Sequence, residues 1–429
     1  MESQQHAAWL APVQEIGYNT GMTIRNPDEF IRRMPKTDLH VHLDGSIRPE
    51  TLLDLARARK IVLPTQTADG LNDLVFKERY QDLVEYLRGF HYTVAVMQTA
   101  EALERIAYEF AWDNFNEGVR YFEVRFAPQL HTNSDLPIEE VFLSVHRGLE
   151  RAKKEFNGRE DVVDGREPPA NYGIIACAMR AFSKGLSEYY DLFLTLHRFS
   201  KPKRTFSLAS VELVHAIIHA RDELGLPVVG LDIAGPEDGF PPEDHEEAFD
   251  LAHRNFFKKT VHAGEAYGPE SIFQAITLLH ADRIGHGYHL FSTNMLMDDT
   301  VTDKASYVNR LAEFIADRRI TIEVCLTSNQ QTMPALGDLR NHAFGIMLGR
   351  CLSVTLCTDN RTVSKTTVSR EITLAIETFK PSPDELKNMV IYGFKRSFYP
   401  GSYREKRDYV RRNIDYYESL QDQYIVDER

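Results

Sequence analysis

The chain reads as an α/β protein, a single (β/α)8 TIM barrel with an N-terminal extension, loop insertions and C-terminal helices. Three observations predict this. Eight short, apolar, strand-like runs recur between residues 36 and 358, mostly separated by segments of helical spacing, the alternation that surrounds a parallel sheet with helices. A count of eight selects a closed barrel over an open doubly wound sheet. The 429 residues, 43% hydrophobic and 26% charged, suffice for one large core, since barrels with insertions exceed about 400 residues as one unit.

Residues 1–33 carry little pattern and are assigned to the N-terminal extension; residues 34–429 make up the barrel domain with its C-terminal helices. Residues 36–43 alternate polar and apolar side chains, as a strand does. Pro49 then opens a helix through residue 60, because its fixed φ suits a first helical position. Helical spacing runs from 83 to 116, and residues 119–126 form the second strand. The segment 138–156 is helical, with acidic residues early and basic ones late, as the helix dipole prefers. Residues 157–171, rich in Gly, Pro and charge, read as a surface loop before a third strand at 172–179. A helix at 207–224, a fourth strand at 227–234 and a polar helix-like run at 243–259 follow. The fifth strand is 260–265; Pro269, after a glycine, starts the next helix. Strands at 283–286, 320–326 and 352–358 complete the eight, and helices continue after Lys365 and from Tyr403.

Sixty-three acidic against 50 basic residues leave a net charge of −13. That balance argues against a nucleic-acid partner, whose binding rests on neutralised phosphates. Cys177, Cys325, Cys351 and Cys357 each lie in an apolar strand-like run without a Cys-x-x-Cys pair, so they read as reduced core residues. The first residues, Met-Glu-Ser-Gln-Gln-His, lack the basic and apolar regions of a signal peptide. No apolar run approaches the ~20 residues of a membrane helix. A cytoplasmic protein without a membrane partner is expected.

Barrel enzymes carry their chemistry at the C-terminal ends of the strands. Here those ends hold His40 and His42, then His262, His286 and Asp359, with Glu265 on the turn after the fifth strand. An i, i+2 pair in a strand faces one side, so both imidazoles of the first strand point the same way. Several imidazoles and a carboxylate converging on one mouth form the donor set of a catalytic zinc site.

At these residues the chain resembles the adenosine deaminases of the metal-dependent amidohydrolase superfamily. The matching stretches are 37–45 (Thr-Asp-Leu-His-Val-His-Leu-Asp-Gly), 232–235 (Asp-Ile-Ala-Gly), 261–265 (Val-His-Ala-Gly-Glu), 283–287 (Arg-Ile-Gly-His-Gly), 323–329 (Glu-Val-Cys-Leu-Thr-Ser-Asn) and 357–359 (Cys-Thr-Asp), in family order. The resemblance implies that His40, His42, His262 and Asp359 bind one Zn2+ per chain, with Glu265, His286 and Asp359 catalytic. It implies zinc-dependent hydrolytic deamination of adenosine or a close 6-aminopurine nucleoside to the 6-oxo product (inosine) and ammonia. Hydroxide on the zinc attacks C6 while Glu265 protonates N1, and His286 orients and helps deprotonate the water with Asp359 assisting. Asp44 accepts a hydrogen bond from the ribose 5′-hydroxyl, the Gly235 N–H reaches N3, and Asn360 faces the base. The partner is therefore a small-molecule purine nucleoside.

Two departures bear on substrate. Asn360 and Arg361 stand where the family has a second aspartate and a proline, and Leu326 where proline is common. Asparagine still donates through its amide but brings no charge. A modified nucleoside, aminodeoxyfutalosine-like or methylthioadenosine-like, is accordingly the alternative substrate, and a catalytically silent binding relative the alternative from another class. Two-metal hydrolases of the superfamily that the chain resembles commonly bridge their ions with a lysine on the fourth strand; residues 227–234 hold none, so the resemblance implies a single metal.

Other features read as ordinary. Arg198, Lys201, Lys203 and Arg204 read as a solvated loop. The basic residues between 404 and 412 read as the exposed face of a terminal helix. His289 is a candidate support for His286, whereas His131 and His197 have no role. Residues 76–97 are aromatic and apolar at helical intervals, which fits either a lid over the mouth or core packing.

Overall fold

The strands of this chain are buried on both faces, as in a parallel sheet covered by helices. In the computed structural model, which describes residues 15–17 and 22–427, every residue of Lys36–His42 and of Val119–Phe126 is buried. The strands are β1 (Glu15–Gly17), β2 (Met22–Arg25), β3 (Lys36–His42), β4 (Val119–Phe126), β5 (Asn171–Met179) and β6 (Val228–Ala234). They continue as β7 (Lys258–Ala263), β8 (Arg283–His286), β9 (Thr321–Val324), β10 (Val354–Leu356) and β11 (Ile425–Asp427). Strands β3 to β10 pair in chain order, all parallel, as one eight-stranded sheet. The ring closes just beyond β10: the His42 N–H donates to the Asp359 carbonyl (2.7 Å) and the Asp359 N–H to the His40 carbonyl (2.8 Å). This is the expected (β/α)8 barrel.

Within the barrel, charge replaces part of the apolar filling. Arg125 bridges Asp232 (2.6 Å) and Glu323 (2.9 Å), and Arg283 bridges Glu323 (2.6 Å) and Glu123; all are essentially unexposed. Buried charges survive only when paired in this way. Between β6 and β7 the pairing covers only Gly230–Lys258 and Leu231–Lys259. Farther up, the Arg180 guanidinium donates to the carbonyls of His262 and Phe240, tying β7 to the segment after β6 where the ladder stops.

Away from the barrel, β2 pairs antiparallel with β1 and with the C-terminal β11. Residues 1–14 of the expected extension, including the stretch searched for a signal peptide, lie outside the described residues.

Several element limits differ from expectation. The helical spacing of 83–116 is broken into Leu83–Leu87, Phe90–Val96 and Ala100–Asn116; Thr99, an N-cap whose side chain accepts from Ala102 N–H, starts the long piece afresh. The polar run 243–259 ends early: the helix is Glu246–Arg254, and Lys258 and Lys259 already belong to β7. The expected loop 157–171 contains a short helix, Glu160–Val163. Strand seven shrinks to β9, since Leu326 already begins a helix, Leu326–Thr332, and strand eight is only β10. The basic residues near 200 are not all loop: Pro202 opens a helix through Asp222, and the exposed Lys203 and Arg204 pair with Asp244 and Glu247. Cys351 is exposed on a left-handed turn at φ 56°, unlike the three buried cysteines.

Candidate active site

Two side chains of β3 and one each from β7 and the end of β10 meet at the C-terminal mouth of the barrel. The ligand atoms of His40, His42, His262 and Asp359 all lie within 4.8 Å of one another. His42 Nε2 is 3.2 Å from His262 Nε2, and Asp359 Oδ1 is 3.5 Å from both His40 Nε2 and His42 Nε2. Ser328 Oγ donates to the other oxygen, Asp359 Oδ2, at 2.6 Å, so Oδ1 is left facing the imidazoles. The buried His40 Nε2 has no protein hydrogen-bond partner. A buried, unpartnered ring nitrogen among two further imidazoles and a carboxylate fits a bound transition metal.

Carboxylates behind the rings settle which nitrogen each presents. His40 Nδ1 lies 2.9 Å from Glu323 Oε2, and His262 Nδ1 lies 3.0 Å from Asp232 Oδ2. Burial would push both carboxyls up. Contact with the His262 imidazole and the charge of Arg125 outweigh it for Asp232, and the charges of Arg125 and Arg283 for Glu323, so both end well below the usual carboxylate range. As acceptors they hold Nδ1–H, which frees Nε2 of each ring. Close approach is also required of the backbone: a Cβ at Gly285 would lie 2.9 Å from His40 Cε1.

Glu265 and His286 stand beside this cluster, 3.7 Å apart, with ligand atoms within 4.8 Å of that of Asp359. His286 (φ 63°) and Asp359 (φ 60°) both occupy the left-handed region, strain typical of functional residues held by their surroundings. Burial pushes the Glu265 carboxyl well above its ordinary value, and the nearby Asp359 and Glu237 add to the rise. His286 is driven well below the ordinary imidazole value, by burial first and by His40 next, so it is held neutral.

Its tautomer is set by a relay. The Phe344 N–H donates to His342 Nδ1 at 3.0 Å, which makes His342 Nε2 the donor to Asn329 Oδ1 at 3.2 Å. The Asn329 amide then donates to His286 Nδ1 at 3.2 Å, leaving the proton of His286 on Nε2, toward Glu265. His289 takes no part; its Nδ1 contacts Ser292 instead.

His42, His262, Glu265, His286 and Asp359 line a cavity of about 720 Å³, as do Asp44, Gly235 and Asn360. Gly235 has a φ of 98°, a conformation that only glycine adopts readily, and it brings backbone to the cavity wall. Asn360 Nδ2 donates to the Tyr86 hydroxyl at 2.7 Å, and that hydroxyl lies 2.8 Å from Ser364 Oγ. Tyr86, Leu83, Leu87, Phe90 and Val94 line the cavity, and Phe76, Tyr80, Tyr86, Val96 and Met97 of the same segment are buried in the core. Among the described residues no lysine or arginine lines the cavity.

All the residues expected at the site are thus brought together. Sequence reasoning assigned no role to Asp232, Glu323, Arg125, Asn329 or Tyr86. A signal existed for three of them: Arg125, Asp232 and Glu323 are charges within apolar strands.

The model of the adenosine deaminase family matches residues 35–413. The adenosine deaminase of Mycobacterium marinum is 36% identical over 374 residues, covering 86% of this chain and 92% of that one. Adenosine deaminase 1 of Streptomyces coelicolor is 35% identical over 380 residues, covering 87% and 85%. Among solved structures, an amidohydrolase from Burkholderia ambifaria with bound Zn superposes with a TM-score of 0.72 at 21% identity, covering 96% of this chain and 99% of that one. The N6-mAMP deaminase of Arabidopsis reaches 0.67 at 24%, covering 90% and 99%; at such identity these two likenesses speak for the fold. No helix of the described residues is long and apolar enough to cross a membrane. With its barrel, its cluster of imidazoles and a family match over most of its length, the chain belongs to the adenosine deaminase family and is a hydrolytic deaminase.

Proposed function

We propose that the protein is a zinc-dependent deaminase of adenosine or a close 6-aminopurine nucleoside, releasing ammonia and the 6-oxo purine. The observation that carries this reading is the pairing of a metal-type donor set, His40, His42, His262 and Asp359, with the raised carboxyl of Glu265. Three imidazoles and a carboxylate suit zinc. When bound, the ion acidifies a water toward a pKa of about 7, so that hydroxide is available at neutral pH.

Every other task falls to the chain. Asp44 accepts from the ribose 5′-hydroxyl, the Gly235 N–H holds N3, and the Asn360 amide faces the N7 side of the base. Glu265, protonated through burial, gives its proton to N1 as the water oxygen adds to C6. His286, with its proton on Nε2, orients the incoming water by donation, so that Asp359 is the group that takes the water proton. That proton passes to the amine, which leaves as ammonia when the C6–N bond breaks, and the proton of the C6 hydroxyl returns to Glu265 as the 6-oxo group forms.

A nucleoside is favoured over a nucleotide because nothing in the cavity lining supplies a lysine or arginine for a 5′-phosphate, and Asp44 is itself a carboxyl. The apolar wall of Phe90, Leu130, Phe182, Phe206 and Phe240 supports a second reading, a nucleoside with an apolar ribose substituent such as methylthioadenosine. Ammonia release from adenine, adenosine, methylthioadenosine and AMP, with and without a chelator, tests this. Turnover of nucleosides alone, abolished by chelation, is expected; preference for AMP, or no purine turnover by metal-replete protein, rejects the reading.

A further inference from the structure

Three residues beyond β6, Glu237 is almost wholly buried, at 1% exposure, and no step above uses it. Its carboxylate reaches across to the turn after β7. Oε1 accepts from the Gly264 N–H (2.9 Å) and from Ser271 Oγ. Oε2 accepts from the N–H groups of Glu265 (3.0 Å), Ala266 (2.7 Å) and Tyr267 (3.0 Å). Four consecutive backbone donors converging on one point make an anion-binding concavity, and here the anion is a side chain of the protein itself.

Apart from these bonds the turn is tied at its start, where the Gly264 carbonyl accepts from the His289 N–H at 2.8 Å, and among the described residues no other backbone bond holds Glu265 itself. Gly264 sits at a φ of 72°, and the regular pairing of β7 with β8 ends at Ala263. Glu265, immediately beyond, must aim its carboxyl at one ring nitrogen. A misplacement of about 1 Å at a reacting group can cost on the order of 100-fold in rate.

We infer that Glu237 is a positioning residue for proton transfer: seated in the backbone donors of Gly264 to Tyr267, it holds the turn so that Glu265 meets N1 of the purine. A carboxylate is the group this nest requires, because it accepts at both oxygens. Glutamine would turn an NH2 toward one set of donors. Aspartate keeps the charge but is one methylene short. The inference rests on the assignment of Glu265 as proton donor.

The test compares zinc-loaded Glu237→Gln, Glu237→Asp, Glu265→Gln and the Glu237→Gln/Glu265→Gln double variant, reading kcat, KM and zinc content. Both Glu237 variants are expected to lose about 10- to 100-fold in kcat, with KM and zinc content within about threefold of the parent. The double variant is expected to be no slower than Glu265→Gln alone, since groups acting as one unit are not additive. Unchanged kcat at Glu237, a loss carried by KM or by zinc, or additive losses would overturn the inference while leaving Glu265 as donor. Full activity of Glu265→Gln would instead overturn the donor assignment. Should Glu237→Gln not fold, Glu237→Asp carries the same kcat-against-KM reading.

Discussion

His40 Nδ1 lies 2.9 Å from Glu323 Oε2, although 283 residues separate the two in the chain. The same carboxylate binds Arg125 and Arg283, so one buried acid both orients an imidazole of the donor cluster and anchors the charge network of the barrel.

Replacing Glu323 with glutamine leaves both arginines short of countercharge. Loss of about 3–5 kcal/mol of stability is expected, as when one partner of a buried pair is removed, together with about 10- to 100-fold weaker zinc binding. Urea unfolding of the metal-free protein and chelator competition measure the two effects separately.

His40→Ala and Glu265→Gln should part company. The first removes a donor atom and is expected to lose both zinc and turnover. The second leaves the donor set intact and is expected to keep zinc while kcat falls by about 10²- to 10⁴-fold. Metal analysis beside an ammonia assay decides; a zinc-free Glu265→Gln protein contradicts the division of roles.

Gly285→Ala tests close packing rather than chemistry. The new methyl would stand 2.9 Å from His40 Cε1, so the ring must move from the cluster. Reduced zinc content and activity are expected with an unchanged far-ultraviolet dichroism spectrum.

Tyr86→Phe removes the hydroxyl that Asn360 and Ser364 share. A hydrogen bond of this kind contributes about 0.5–1.5 kcal/mol, so KM for the nucleoside should rise about 2- to 10-fold with kcat little changed. Steady-state kinetics with saturating zinc checks it.

The pH profile has a defined sign. Glu265 acts as an acid, and burial raises its carboxyl well above the ordinary value. Activity is therefore present below that raised value and is lost as pH rises through it. His286 is held neutral by a lowered value, so its own protonation sets no acid limb near the ordinary imidazole value of about 6.5. A kcat/KM profile from about pH 5 to pH 10 should show that basic limb; a flat alkaline side contradicts the assignment of Glu265.

Local pattern was enough to read the strand-and-helix alternation, the shared face of His40 and His42, and the collection of His262, His286 and Asp359 at strand ends. Each of those is a property of spacing within a few residues, or of the rule that barrel chemistry lies at the C-terminal ends of strands. Element limits were less legible, because Thr99 and the early helix at Leu326 act through local capping and packing that periodicity does not register.

What the tertiary structure alone decided is partnership. That Asp232 and Glu323 hold particular ring nitrogens, that Phe344 sets the tautomer of His286 through His342 and Asn329, that Tyr86 meets Asn360, and that Glu237 fills the turn of Glu265 all depend on side chains brought together from distant segments. A sequence states which donors and acceptors exist. Only closure of the barrel, which brings β3 beside Asp359, makes them neighbours, and hydrogen bonds act only between neighbours.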